Sequence, residues 1–437
     1  MDRRQLLAAL SSGAVLGFAG CIDEPVTDGT RTTTPTATAP IDLSAHGPID
    51  GWSMYRADAQ HTGRVGEGPG GELDEQWTAS LGRRPPLQLA VAGETLLAIE
   101  RRRGTLAAFG AVDGERLADD ASRGDSPASG PVAVDGVLYY GTKEGELVAR
   151  ATDGSGTGWR VELPRVTDHG DEAPVPTRST PAVAEARVYV VGVHPARDIE
   201  RKVLCFEMSD PDTSTDCDGW PASAEGTSLP PPVVDEDLVV VQHDQKLLAF
   251  DADEGSQRWR APLPDLGVRT RVEPTPALGP ERLYVRTEAG LQARTREDGD
   301  VVWTRDLDGR TVDDVDRLFS AYPAAVNTGA VYAGFHDGRF EALDRETGEP
   351  LWTFEPNEKT VFWTAPALDD AHVYVGAHGP HQGLDHPGEV EDARFYALDR
   401  VTGEVVGAVE REGEFSDPAV GAGGVYVAFG TEIVAFS

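Results

Sequence analysis

The apolar positions of this chain fall in short alternating runs, and the runs recur as a block. One block reads Thr275-Pro276-Ala277-Leu278, Arg282-Leu283-Tyr284-Val285, Leu291-Gln292-Ala293-Arg294 and Val301-Val302-Trp303, with Ala289-Gly290 and Glu297-Asp298-Gly299 between runs. Period-two alternation bounded by Gly and Asp predicts four short antiparallel strands joined by hairpin turns. A proline opens the block at Pro131, Pro181, Pro232, Pro276, Pro323, Pro366 and Pro418, with Leu89 in that place in the first copy. Successive steps are 42, 50, 51, 44, 47, 43 and 52 residues. A small residue marks the third strand at Ala108, Ala149, Cys205, Ala249, Ala293, Ala342, Ala397 and Ala435. A period in the forties made of strands and turns predicts an all-β fold, a β-propeller with one four-stranded blade per repeat. Proline suits the first residue of an inner strand, where its missing N–H faces the axis.

Aromatic residues keep the same period. Tyrosine follows the proline by eight residues at Tyr139, Tyr189, Tyr284, Tyr374 and Tyr426, and by nine at Tyr332. Tryptophan follows a turn glycine by four in Gly255/Trp259, Gly299/Trp303 and Gly348/Trp352. Such rings bury large areas, so packing between blades is the expected role. The last repeat stops at Phe436-Ser437, after its third strand, while Glu75–Leu81 reads as an outer strand with no repeat of its own. Pairing the two closes the ring and removes its free edges. Eight blades are therefore predicted over residues 51–437, the last shared by both chain ends and the ring monomeric.

The N-terminal part does not belong to that pattern. Residues 1–20 read as an export signal: the pair Arg3-Arg4 precedes a modest apolar run, Leu6 to Phe18, and Phe18-Ala19-Gly20-Cys21 resembles a lipobox. The run is too short and too rich in Ala, Gly and Ser for a spanning helix. The twin arginine implies the Tat route, and Cys21 is the expected lipidation site. Residues 21–50 include a Thr/Pro tract with little to bury, a solvated stalk. Together these predict an extracytoplasmic protein anchored to the outer face of the membrane.

Charge sharpens the picture. The chain of 437 residues carries 74 acidic and 39 basic side chains, a net charge of −35. The acids are spread through the turns of every repeat. Such a surface repels itself in ordinary salt, and at molar salt, where the Debye length is about 3 Å, it does not. An extremely halophilic, archaeal source is the economical reading, and the sign argues against nucleic acid as a partner. Outside the cell a disulfide is allowed. Cys205 and Cys217 flank an insertion, Glu207 to Asp216, and two readings stay open: a bridge, or a small buried residue at Cys205.

The repeat resembles the pyrroloquinoline-quinone (PQQ)-type propeller repeat. Phe340-Glu-Ala-Leu-Asp-Arg-Glu-Thr-Gly-Glu-Pro-Leu-Trp352 is a close copy of its pattern, and Trp52-Ser-Met-Tyr-Arg56-Ala-Asp58-Ala-Gln-His-Thr62-Gly63 resembles the segment preceding the first blade in that family. The resemblance covers residues 52–437. It implies either a quinone-dependent alcohol or sugar dehydrogenase, or a non-enzymatic lipoprotein such as the propeller subunit of the bacterial outer-membrane assembly machine. The dehydrogenases hold Ca²⁺ with Glu and Asn, use a catalytic Asp, and often carry adjacent cysteines. This chain has no adjacent cysteines and two asparagines, Asn327 and Asn357. The expectation is therefore no catalytic residue and no PQQ or Ca²⁺. It is a lipid-anchored scaffold for a protein or surface-glycan partner; a dehydrogenase with a degenerate site and a solute- or glycan-binding receptor are the alternatives.

Two places are candidate sites. Residues just before the inner-strand prolines should line the funnel mouth and differ between blades: Thr180, Thr275, Tyr322 and Asp417, with Trp363 nearby. The longest insertion carries His378, His381, Asp385 and His386, whose imidazoles and carboxylate are donors suited to a divalent metal. That spacing matches no metal motif, and a solvated loop is the competing reading.

Overall fold

A computed structural model describes residues 52–81, 88–100, 105–118, 125–151, 158–163, 166–168, 171–173, 176–194, 200–209, 217, 220–221, 230–243, 245–264, 275–287, 290–306, 322–335, 338–356, 361–378, 393–411 and 415–437. The export signal with Arg3, Arg4 and Cys21, the stalk, and His381, Asp385 and His386 lie outside them. Among the described residues the fold is all strand and turn. It forms eight antiparallel blades whose inner strands begin at Leu89, Val132, Ala182, Val233, Ala277, Ala325, Ala367 and Ala419. Blade 7 carries an extra short strand, Val361–Phe362, on its second strand. Inner strands of neighbouring blades touch around the axis, and that of blade 8 meets that of blade 1, so the ring is closed.

The seam lies where the chain ends predict it. Glu75–Ser80 pairs antiparallel with Glu432–Phe436 and supplies the outer strand of blade 8, with Trp77 opposite Ala435. Asp74 and Ser437 exchange backbone hydrogen bonds of 3.1 and 3.0 Å.

The strand registers explain the small-residue slot. Ala149 lies between Tyr139 and Trp159, Ala293 between Tyr284 and Trp303, and Ala342 between Tyr332 and Trp352. Cross-strand neighbours sit about 5 Å apart at Cβ, so two large rings leave room only for a methyl or thiol between them. Cys205 fills the same slot opposite Tyr189. Cys205 and Cys217 are both buried, and the Cys217 amide donates to the Val203 carbonyl at 2.9 Å.

Tryptophan and turn glycine meet across the blade boundary. The indole N–H of Trp77 donates to the Ala111 carbonyl in the next blade, at 2.9 Å. Trp159 donates to Met208, Trp259 to Arg296, Trp303 to Arg345 and Trp352 to Arg400, all within 3.1 Å. Under Trp77, Trp259, Trp303 and Trp352 the glycine of the receiving turn, Gly114, Gly299, Gly348 and Gly403, lies flat against the ring. A Cβ on Gly348 would stand 2.6 Å from Trp303, and the glycine's φ of +74° excludes a side chain as well. Blade 7 has Gly407 where the outer strands of blades 2, 4, 5, 6 and 8 carry tryptophan. The space is taken by the backbone of Gly71 and Glu72, which leads the chain to the seam with Leu73 buried.

Candidate functional site

The funnel mouth lies at the end of the ring where each outer strand crosses to the next inner strand. There a hydroxyl two residues before the proline accepts an amide of the second strand twelve residues later. Ser129 accepts from Gly141 at 2.8 Å, Ser179 from Val191 at 3.2 Å, Thr364 from Gly376 at 2.8 Å and Ser416 from Ala428 at 2.9 Å. This bond continues the strand pairing past the proline and pins the residue between hydroxyl and proline, which is the mouth position. The signal was present in the chain as Ser-Gly-Pro, Ser-Thr-Pro, Thr-Ala-Pro and Ser-Asp-Pro. It went unread because a lone hydroxyl near a proline also marks an ordinary turn.

The mouth positions bond to one another. Thr180 Oγ1 accepts the Gly130 amide at 3.0 Å and donates to Gln88 Oε1 at 3.1 Å. Asp417 Oδ1 accepts the Ala365 amide at 2.9 Å. Each side chain thus caps the equivalent amide of the preceding blade. Thr180 and Thr275 are buried, whereas Tyr322, Trp363 and Asp417 are half-buried. The five expected funnel residues therefore divide: Thr180 and Asp417 cap amides of the preceding blade, Thr275 is buried in the wall of the ring, and the two aromatics are half-buried.

Below the mouth the axis is filled by the segment from Trp52 to Gly66. Its carbonyls accept from successive inner strands. The donors are Val91, Ala133, Val234, Leu278, Val326 and Leu368, bonding to Trp52, Ser53, Ala59, Gln60, Thr62 and Gly63, each at 2.8 Å. Arg56 rises from this segment and is 1% exposed. Its Nη1 donates to the Pro366 carbonyl at 2.6 Å and its Nη2 to the Ala324 carbonyl at 2.9 Å, while Nε has no hydrogen-bond partner. Ala324 is the extra residue behind the nine-residue Pro323–Tyr332 spacing, since Ala325 pairs with Tyr332 as Ala277 pairs with Tyr284. The one irregular spacing in the tyrosine series therefore lies where the axial guanidinium docks.

Burial governs the charges here. It lowers the Arg56 guanidinium from its ordinary value, and the carboxylate of Asp417 partly restores it. Asp417 is raised by burial against the opposing pull of Arg56. Tyr55 is pushed up to about 12 by burial and then by Asp417. His61 is lowered to about 3 by burial and then by Arg56, so it is neutral at ordinary pH; its ring bonds to the Pro276 carbonyl. The floor is thus a polar plug in which Arg56 and Asp417 oppose one another.

A quinone with Ca²⁺ does not fit the described donors. Asn327 lies at the opposite end of blade 6, where its Oδ1 accepts the Gly329 and Ala330 amides, both at 2.8 Å, and its Nδ2 donates to Tyr332 at 3.1 Å. Among the described mouth positions Asp417 is the single carboxylate, and it already accepts a backbone amide beside Arg56. The expected metal loop falls outside the described residues; His378 ends the second strand of blade 7, and no cluster of metal-ligating side chains occurs among the described residues.

Residues 207–409 match the family model described as outer membrane protein assembly factor BamB. The outer membrane protein assembly factor BamB of Vibrio cholerae is 28% identical over 158 residues, 35% of this chain and 39% of that protein. The match thus spans about two fifths of that relative. The crystal structure of BamB from Moraxella catarrhalis superposes with a TM-score of 0.57 at 17% identity, over 84% of this chain and 99% of the other. A quinohemoprotein alcohol dehydrogenase from Pseudomonas putida gives 0.61 at 12% identity, over 92% and 83%. At such identities the structures share the fold alone. The chain is similar to BamB in the repeats of residues 207–409, and to BamB and the quinohemoprotein alike in the fold of the ring.

Proposed function

We propose that this protein is a lipid-anchored, extracytoplasmic propeller that serves as a non-catalytic scaffold and engages a protein partner at the funnel mouth. The observation that carries this reading is the plugged axis. Below the mouth, Arg56, His61 and six carbonyls bond to the ring itself, whereas Tyr322 and Trp363 stay half-buried at the rim of the funnel. Aromatics on a rigid frame suit a protein surface, because they give large contact area at little cost in side-chain freedom. Similarity to an assembly factor over residues 207–409 supports the same reading. Neither PQQ nor Ca²⁺ has a part in it. The lipobox at Cys21 and the stalk support a ring held off the outer face of the membrane.

The test is affinity capture from membranes in molar salt with the intact protein and a Trp363→Ala, Tyr322→Ala double variant. A stoichiometric partner lost in the variant supports the scaffold. Quinone absorbance with dye-linked alcohol oxidation, after addition of PQQ and Ca²⁺, would establish a dehydrogenase in its place. Retention of a defined sugar or solute with no protein partner would establish a receptor. Cys21→Ser should release the protein into the medium.

A further inference from the structure

We infer that the inner strands form a site that reads peptide backbone, that residues 52–66 of the chain occupy it, and that this occupancy closes the ring. The site is a circle of equivalent amides. Val91, Ala133, Val234, Leu278, Val326 and Leu368 each belong to an inner strand, and each donates at 2.8 Å to one carbonyl of the segment. Segment order follows blade order: Trp52 and Ser53 serve blades 1 and 2, and Ala59, Gln60, Thr62 and Gly63 serve blades 4 to 7. Residues 54–58 skip blade 3 and carry Arg56 into the axis. Carbonyls present no side-chain information, so the occupant is a peptide recognised by the spacing of its backbone acceptors.

Three features make this segment the specific occupant. Arg56 reaches the carbonyls of Ala324 and Pro366, on blades 6 and 7. His61 bonds to the Pro276 carbonyl on blade 5. Arg56, Ala57, His61 and Gly63 hold φ of +59°, +74°, +56° and +66°, a winding that L residues adopt only when contacts impose it. A Cβ on Gly63 would also strike the Arg56 guanidinium.

The same stretch then leaves the axis and becomes the seam. Arg64 bridges in parallel to Leu368, the Val65 amide donates to the Leu368 carbonyl at 3.0 Å, and Glu75–Ser80 becomes the outer strand of blade 8. The segment is made first and its partners on blades 7 and 8 last. Its bonds can be completed only when the whole ring is present, so closure is one cooperative event rather than the addition of a final blade.

The test uses the full-length chain with a protease site between Leu81 and Gln88, together with a Gly63→Val chain, in molar salt. After cleavage the N-terminal piece should stay bound, and the six donor amides should keep slow hydrogen exchange. In Gly63→Val those six amides should exchange at least a hundredfold faster, while ladder amides such as those of Tyr284 and Ala293 hold. A synthetic peptide of residues 52–66 added to that variant should restore protection. Loss of the cleaved piece with the ring unchanged would overturn the inference, as would six amides that stay protected in Gly63→Val. If Gly63→Val does not fold, the cleaved wild-type chain decides alone.

Discussion

The rim and the axis of this ring are held by opposite means. At the rim one contact, a tryptophan indole donating to a turn carbonyl of the next blade, is made by Trp77, Trp159, Trp259, Trp303 and Trp352. At the axis one segment makes every contact, and its two Arg56 bonds, across separations of 268 and 310 residues, are each made once. A repeated contact is redundant, since losing one copy weakens one boundary in a chain of nearest-neighbour contacts. A contact made once has no substitute. The difference teaches that blade-to-blade stability and ring closure are separate properties of this molecule.

The largest break in that comparison should come from Gly63→Val. It forces a β-branched residue to positive φ and drives its side chain into Arg56, which together cost about 3–5 kcal/mol. Chemical unfolding in molar salt should show the loss, and a near-wild-type midpoint would refute the special standing of the axis.

Trp303→Ala should follow at about 3 kcal/mol, from lost ring packing and an orphaned Arg345 carbonyl. Trp259→Ala acts on the preceding boundary and should add to it nearly in full. Strong coupling between the two would show that the rim is not a sum of independent contacts.

Acid should act on the axis before the rim. His61 holds a folded value of about 3 against an ordinary 6.5, so between those values only the unfolded chain takes up its proton. The stability it contributes is full above pH 6.5 and declines as pH falls toward 3, by at most about 1.4 kcal/mol per unit. Asp58 and Asp417 act with the opposite sign. Burial raises both, so what they contribute is full below 3.8 and lost as pH rises through their folded values. His61→Gln should therefore flatten the stability profile between pH 6.5 and 3; an unchanged slope would remove His61 from the account. The smallest effect expected is Trp303→Phe, about 1 kcal/mol for one hydrogen bond, seen as a shift in the unfolding midpoint with unchanged slope.

Much of the rim was readable from the chain. The prolines, the small slot, and the glycine-to-tryptophan spacing each recur, and the orphan strand at Glu75–Leu81 pointed to the seam found at Glu75–Ser80. The candidate mouth residues were legible as positions in the repeat, but their roles were not readable. Thr180 and Asp417 cap amides 50 and 52 residues earlier in the chain. Nothing in a threonine or an aspartate says whether it faces a ligand or a neighbouring blade. The Trp52–Gly63 stretch stood out only by resemblance. It lacks apolar alternation because it binds through carbonyls, and its positive φ angles fall on Arg56, Ala57 and His61, residue types that do not announce them.

By itself the amino-acid sequence determined the number of blades, their strands and turns, and the way the two chain ends share a sheet. Those features are local patterns repeated at a fixed spacing, so each copy confirms the others. The tertiary structure alone decided that the segment from Trp52 occupies the axis and that Arg56 and Asp417 face one another there. Backbone carbonyls are present in every residue, and which of them meet the six inner-strand amides depends on the closed ring, not on any run of residue types.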